Sequence, residues 1–464
     1  MNQNPSISKA KLPVAIIGGG PVGLAAAAHI VTRGESFVLL DAGPAVGASM
    51  LQWAHVRLFS PWEFNIDKAA RQLLISNGWI APNNSDIPTG LEMVEHYFKP
   101  FAELPEIKPF IYLNAKVIAV SRKGLNKVKT HGRDDLPFVL HVETNGERHI
   151  VEARAVIDGS GTWTNPNPIL SEGVWTTEEQ SFSKQIFYGI PDVLNEHKDR
   201  YSGKKVLVVG SGHSAINTLL ELGELKRQMP DTEIVWALRK SNLEDVYGGR
   251  EQDQLAARGE LGTRIQRLVE SGNVKVITPF HIQEVKKNED KIQVIGTLNG
   301  ELLQINAIDE IVSNTGSRPD FSFLREVRVI ADPSLESTME LAPLIDPNVH
   351  SCGTVRPHGE KELRQPEKDF YIVGAKSYGR APTFLMATGY EQVRSVVAAI
   401  VGDYEAAERV ELELPETGVC SIQKSSCCFP EKSEAVVVEQ EGVSSCCSPV
   451  TQPIATKSSC CSHF

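Results

Sequence analysis

The 464 residues are 41% hydrophobic and 23% charged, the balance of a soluble globular chain with room for two or three domains. A formal net charge of −11 argues against a nucleic-acid surface, and no usable run of about 20 apolar residues offers a membrane span. The eight cysteines are two singles, Cys352 and Cys420, and three adjacent pairs near the C-terminus, unlike the spaced framework of a secreted disulfide domain, so a reducing cytoplasm is the expected setting.

Residues 1–12 are polar and expected to be disordered. Val14-Ala15-Ile16-Ile17 is too short for a helix and suits a buried parallel strand. Gly18-x-Gly20-x-x-Gly23 follows. Gly18 permits a tight turn, Gly20 admits a pyrophosphate to the backbone, and Gly23 lets the next helix pack on the strand. That helix opens at Pro21-Val22, where its free amides and dipole attract phosphate. A second strand, Phe37–Leu40, ends at Asp41, 18 residues after Gly23, where a carboxylate can take ribose hydroxyls. Lys9 and Lys11 before Val14–Ile30 imitate a signal peptide, but the glycines stand where a phosphate loop needs them and where a spanning helix would not pack.

The segment 42–64 is rich in aromatic and small residues and has no clear period. Trp53, His55, Arg57 and Trp62 are its candidates for a pocket, with Trp53, His55 and Arg57 as catalytic candidates; core packing for the tryptophans and a structural ion pair for Arg57 are the alternatives. Residues 91–104 read as helix, Ile111–Val120 as a strand, and Phe138–Glu143 with Arg148–Ala153 as an antiparallel excursion. Ala155–Asp158 runs as a strand into Gly159-Ser160-Gly161, and Asn165-Pro166-Asn167-Pro168 reads as an exit linker.

A second motif, Gly210-Ser211-Gly212-His213-Ser214-Ala215, follows the strand Lys204–Val209, with alanine in the third glycine's place. Ile216–Lys226 continues as a helix and Thr232–Leu238 as the next strand. That strand ends in Arg239-Lys240, not in an acid, and a cation there suits a ribose phosphate, favouring NADPH over NADH. His213, in the phosphate loop, is assigned a nucleotide contact rather than proton transfer, with a structural role as the alternative. Strands are expected at Val274–Thr278, Ile292–Gly296 and Leu302–Ile305, and Asp309–Pro319 reads as another strand with a glycine-ended turn. Phe370–Val373 is a last short strand ending at Gly374, and Ala387–Val401 an amphipathic helix that returns to the first domain.

Two dinucleotide motifs about 190 residues apart, with VIDGSGTW, DEIVSNTGSRP and FYIVG before ATGYEQ, make residues 13–402 resemble the two-dinucleotide-binding-domain flavoproteins, within them the flavin-containing monooxygenase branch. The resemblance implies an α/β fold of two Rossmann-like domains, the second inserted in the first, with FAD at Gly18–Gly23 and NADPH at Gly210–Ala215. It implies domains at 13–170, 171–315 and 316–405, hinge turns at Ile157–Trp163 and Asn314–Pro319, and further cofactor contacts at Gly47, Val117, Gly159, Gly316 and Gly374. The branch's phenylalanine-x-glycine is present as Phe187-Tyr188-Gly189, but Val193 stands where it carries a histidine, His197 is out of register, and Met50 stands near an expected tryptophan. The superfamily's disulfide reductases carry a Cys-x-x-Cys against the flavin, and none occurs here.

From 411 to 464 composition shifts to Pro, Ser, Glu and Val, as in a disordered tail, and Ser-Ser-Cys-Cys occurs three times. Adjacent thiolates at Cys427-Cys428, Cys446-Cys447 and Cys460-Cys461 suit a soft ion such as arsenite, mercury or copper(I), and lack the spacing of closed zinc sites. The pairs resemble those of arsenite metallochaperones and mercuric reductases. The expected activity is therefore an FAD- and NADPH-dependent oxidoreductase, a monooxygenase using oxygen on a small soft nucleophile and linked to metalloid handling. A reductase that uses the tail thiols and a flavin-bearing metal sensor are the alternatives. A homodimer is the base-rate expectation.

Overall fold

A computed structural model describes residues 9–253, 255–349 and 355–412. Strand β1 (Val14–Ile17) leads through the first glycine loop into helix α1 (Pro21–Thr32), and β2 (Phe37–Leu40) lies parallel beside it. The expected strand from Ile111 to Val120 is two: β3 (Ile111–Tyr112) joins β2, and Asn114, at a φ of 52°, turns the chain into β4 (Lys116–Arg122). Asparagine tolerates that left-handed conformation better than most side chains. β4 pairs with β5 (Phe138–Thr144), and β5 with β6 (Glu147–Ala153), as an antiparallel sheet. β7 (Ala155–Asp158) then returns to the far side of β1.

The second domain repeats the plan. β8 (Ile186–Tyr188) and β9 (Lys205–Val209) precede α2 (His213–Gln228), followed by β10 (Glu233–Ala237) and β11 (Val274–Ile277). β12 (Phe280–Asn288), β13 (Lys291–Leu298) and β14 (Glu301–Ile308) form a second antiparallel sheet. β12 escapes the sequence pattern because a register shift between Ile282 and Glu284 breaks its alternation and its end is charged. β15 (Glu310–Ser313) goes back between β9 and β8. The chain then returns to the first sheet as β16 (Phe370–Ile372), parallel to β7, and continues into α3 (Met386–Ile400). The two parallel sheets run β16-β7-β1-β2-β3 and β11-β10-β9-β15-β8.

Each parallel sheet is covered by helices on one face and by three antiparallel strands on the other. In β1, Val14 and Ile16 pack with the alanines of α1 and with α3, while Ala15 and Ile17 pack with Phe138 and Leu140 of β5. In β9, Val206 and Val208 face α2, while Leu207 and Val209 face Phe280 and Val294. Strands buried on both faces need unbroken apolar runs, and each fully buried aliphatic side chain contributes about 1.5–3 kcal/mol.

Two crossings connect the domains, and they lie side by side. The Asn167 amide donates to the Gly316 carbonyl at 2.9 Å, the Arg318 amide to the Asn165 carbonyl at 3.0 Å, and the Ser317 hydroxyl to Thr162 at 2.9 Å. In the first domain, Glu367 is fully buried between Arg122 and Arg133, accepting at 2.7 Å from each, and the Arg122 guanidinium covers the Phe138 ring.

At the N-terminus, residues 9–11 form a 3-10 turn with Lys9 paired to Asp369 at 3.1 Å; the rest of the expected disordered segment lies outside the described residues. Among the described residues no helix is long and apolar enough to cross a membrane.

Candidate functional site

The loop after β1 is held in shape by its own close contacts. Gly18 has a φ of +105°, and a Cβ there would lie 2.6 Å from the Gly159 carbonyl oxygen. A Cβ on Gly23 would lie 1.9 Å from the Gly18 oxygen, so α1 sits directly on the loop. Gly20 instead faces open space and, with Pro21 at the first helical position and no side-chain cap, leaves the amide end of α1 free for an anion. The Asp41 carboxylate accepts from the Gly19 amide at 2.5 Å and the Gly43 amide at 2.7 Å. It is only half buried, and its remaining lone pairs are available to ribose hydroxyls. Gly47, left-handed at a φ of 69°, donates to the Gly19 carbonyl at 2.9 Å and is backed by Val94 and Phe98. Val22 packs against Gly374, whose φ is +68° and whose amide donates to Gln392 of α3 at 2.7 Å. Val117 lies in β4, its side chain in the core beside Leu140 and Val142.

The second loop follows the same geometry with one change. Gly210 has a φ of +130°, and a Cβ there would lie 2.3 Å from the Asn314 carbonyl oxygen. Gly212 caps α2 and faces open space, and Ser211 lies between the two glycines. Ala215 is fully buried, its methyl standing in the place where α1 has only the hydrogen of Gly23. Ser214 accepts through its carbonyl from Thr218 at 3.0 Å. His213, the first residue of α2, packs on Phe59 with centroids 5.1 Å apart and keeps a solvent-open edge. The surrounding protein, with Arg258 and Lys240 adding to it, lowers its pKa below the ordinary imidazole value.

A cleft of about 770 Å³ lies beside the second loop. Gly210, Ser211, Gly212, Arg239 and Lys240 line one side, the crossings contribute Thr162, Asn167 and Asn314–Ser317 with Gly316 among them, and the turn after β16 lines the other. Arg239 is exposed and its guanidinium lies 3.4 Å from the Ser171 carbonyl; Lys240 donates to the Asp245 carbonyl at 3.1 Å. Asn167 and Asn314 each donate their amide group to a backbone carbonyl, Thr315 at 3.1 Å and Gly189 at 2.7 Å, and each keeps a buried amide oxygen without a partner among the described residues. Unpaired acceptors, an uncapped helix end and paired cations fit a dinucleotide with hydroxyl, amide and phosphate groups.

Sequence reasoning missed the group that locks this region. Lys376, buried after β16, donates to Asp158 at the end of β7 at 2.7 Å and to the Ser160 hydroxyl at 3.1 Å, with its ammonium 4.4 Å from the Phe323 centroid. It fixes the turn at Gly159, whose carbonyl backs Gly18. No local pattern joins residues 218 positions apart.

The catalytic candidates separate. Arg57 is exposed, donates to the Ile87 carbonyl and bridges Thr89. Trp53 packs on Trp163 at 6.2 Å, Trp163 donates to Gln52 at 2.8 Å, and Trp62 is core. His55 reaches the second domain, 3.7 Å from Glu221 of α2. Burial lowers the His55 pKa against the opposing effect of Asp192, and burial raises Glu221 to about 7 against the Val193 amide that donates to it at 3.0 Å. A carboxyl whose folded pKa is raised contributes stability below its ordinary value of 4.5, lost as pH rises to about 7. Glu221→Gln is therefore expected to raise the thermal midpoint at pH 8 and leave it nearly unchanged at pH 4.5. Equal shifts at both pH values would remove the titration as the cause.

All six paired cysteines, Cys427, Cys428, Cys446, Cys447, Cys460 and Cys461, lie outside the described residues, as do Cys352 and Cys420. Among the described residues no group of three or more His, Cys, Asp and Glu could hold a metal ion.

A family model described as pyridine nucleotide-disulphide oxidoreductase matches residues 15–353. A ferredoxin–NADP reductase of Halalkalibacterium halodurans is 23% identical over 65% of this chain and 72% of its own. Among solved structures, the bacillithiol disulfide reductase Bdr of Staphylococcus aureus aligns with a TM-score of 0.61 at 17% identity, covering 84% of this chain and 98% of that one. The FAD-bound cadaverine monooxygenase DfoA of Erwinia amylovora aligns at 0.59 and 13% identity, covering 88% and 99%. At these identities the structures establish a shared fold.

Proposed function

The chain belongs to the pyridine nucleotide-disulphide oxidoreductase family, and on that premise we propose a flavin monooxygenase that oxidises a soft nucleophile. It is an FAD- and NADP(H)-dependent oxidoreductase. The cleft supports the nucleotide half of this reading, because the second glycine loop and the return segment of the first domain share its walls. Gly18, Gly20 and the amide end of α1 would hold the FAD pyrophosphate and Asp41 a ribose; Gly210–Ala215 would hold that of NADPH, and Arg239 with Lys240 its 2′-phosphate. Bound FAD supplies hydride acceptance and two-electron reoxidation, while the protein supplies orientation and electrostatics.

The final acceptor is read as oxygen, with trivalent arsenic or an organic sulfur or nitrogen as the oxidised nucleophile. The fold shared with a cadaverine monooxygenase supports the oxygen part. The three Ser-Ser-Cys-Cys repeats support metalloid capture, since paired thiolates bind soft ions. A second reading, a reductase, is favoured by the relatives named ferredoxin–NADP and bacillithiol disulfide reductases. With no Cys-x-x-Cys in the sequence, its acceptor would be an external carrier or the tail thiols.

The deciding measurement is NADPH consumption by the purified flavoprotein with and without oxygen, and with arsenite or an organic sulfide. A monooxygenase is expected to oxidise the added nucleophile with one oxygen consumed per NADPH, and replacing the six tail cysteines by serine should leave that flux in place. Turnover without oxygen that vanishes with those cysteines would establish the reductase.

A further inference from the structure

The cleft has a wall to which the nucleotide reading assigns no side chain. Gly379, Arg380, Ala381, Pro382 and Phe384 belong to the first domain, yet line the same space as Gly210–Gly212 of the second. Arg380 is exposed there, and among the described residues its guanidinium has no hydrogen bond or ion pair. Its backbone is held closely. The Arg380 amide donates to the Leu335 carbonyl at 2.7 Å and the Gly379 amide to the Lys376 carbonyl at 3.1 Å. Gly379 has a φ of +60° and is so close to the 335–337 segment that a Cβ would lie 2.1 Å from the Leu335 oxygen. Lys376 is itself anchored to Asp158. An arginine with five free donors thus projects from a fixed turn.

Charge and topology select what it meets. Arg239, Lys240 and Arg380 line the cleft against a single carboxylate, Glu172, so the space favours a polyanion. Arg239 and Lys240 stand at the end of β10, the position of an adenosine ribose in a doubly wound fold. Arg380 comes from the opposite domain, towards which the other half of a bound dinucleotide extends. Between the two halves lies the pyrophosphate, at the amide end of α2.

We infer that Arg380 is a pyrophosphate contact for the nicotinamide nucleotide, made across the cleft from the first domain. The inference rests on the nucleotide reading above. Nucleotide binding then bridges the domains, with Arg239 selecting the 2′-phosphate and Arg380 gripping a group that NADPH and NADH share.

The test uses the purified full-length protein loaded with FAD, titrated with NADP⁺ and NAD⁺ by calorimetry, with flavin content as the measure of folding. A hydrogen-bonded charge pair predicts that Arg380→Gln weakens both nucleotides by about tenfold to a hundredfold. Arg380→Lys, which keeps the charge and loses the fork, should weaken both by less. Arg239→Gln should weaken NADP⁺ alone. Unchanged affinity in both Arg380 variants would overturn the inference, and so would a loss confined to NADP⁺, which would place Arg380 at the 2′-phosphate. Wild-type protein that binds neither nucleotide would instead overturn the reading beneath it, and the inference with it.

Discussion

Gly23→Ala is expected to yield protein that retains almost no FAD. The added methyl would stand 1.9 Å from the Gly18 carbonyl oxygen, which is backbone and cannot rotate away. Either α1 lifts from β1 or the loop moves, and the loop is already confined by Gly159 behind Gly18. A lifted α1 carries its amide end off the pyrophosphate. Hydrogen bonds to a charged group contribute about 1.5–3 kcal/mol each, so losing two weakens FAD by more than about a hundredfold. The ratio of flavin to protein absorbance in the purified variant reads this directly, and near-stoichiometric flavin would refute the packing argument. The second domain supplies the control. Ala215 holds the corresponding place with a fully buried methyl, so Ala215→Gly loses only helix propensity and a small contact, about 1 kcal/mol, and should retain flavin.

Glu367→Gln is expected to be the most destabilising single-atom change in the first domain. The carboxylate is fully buried with Arg122 and Arg133, and also accepts from the Arg328 amide at 3.1 Å. Burial alone would raise its pKa, but the hydrogen bonds from Arg133 and Arg122 outweigh burial and hold it below the usual carboxylate range. Glutamine keeps the shape and removes the charge, leaving two buried guanidiniums without their anion. Breaking a buried pair in this way costs about 3–5 kcal/mol. Denaturant unfolding of the FAD-loaded protein should show it, and a change under about 1 kcal/mol would mean that the arginines are compensated elsewhere. A depressed folded pKa adds stability above the ordinary carboxylate pKa, lost as pH falls through the folded value. The difference between wild type and variant should therefore shrink in acid.

Local features were legible in the sequence because their causes are local. Both glycine loops, the buried strands before them, Asp41 and the cations at the end of β10 follow from spacing and residue type over a few dozen positions. Strand ends were less legible where a single backbone event intervened, as at Asn114 between β3 and β4 or at the irregularity in β12. The partnerships that complete the site are long-range. Asp158 with Lys376, Glu367 with two arginines, and His55 with Glu221 join residues more than 160 positions apart, and no periodicity encodes them. Arg57 shows the converse: its chemistry suggested a pocket, but its guanidinium is used by the Ile87 carbonyl. Arg380 carries no motif and becomes visible only when the fold sets it across from the second loop.

The adjacent crossings bear on how the protein is made. β7 ends at Asp158, and its outer neighbour β16 begins only at Phe370. During synthesis at about 5–20 residues per second, β7 waits roughly 10–40 s with a bare edge, while every strand of the inserted domain emerges. The insert can close its own sheet in that interval, entering and leaving through one narrow ribbon. The half-built host carries an open template for pairing with other nascent chains. The vulnerable species on the ribosome is therefore the first domain waiting for its last strand, and slowing translation within residues 186–313 should lengthen its exposure.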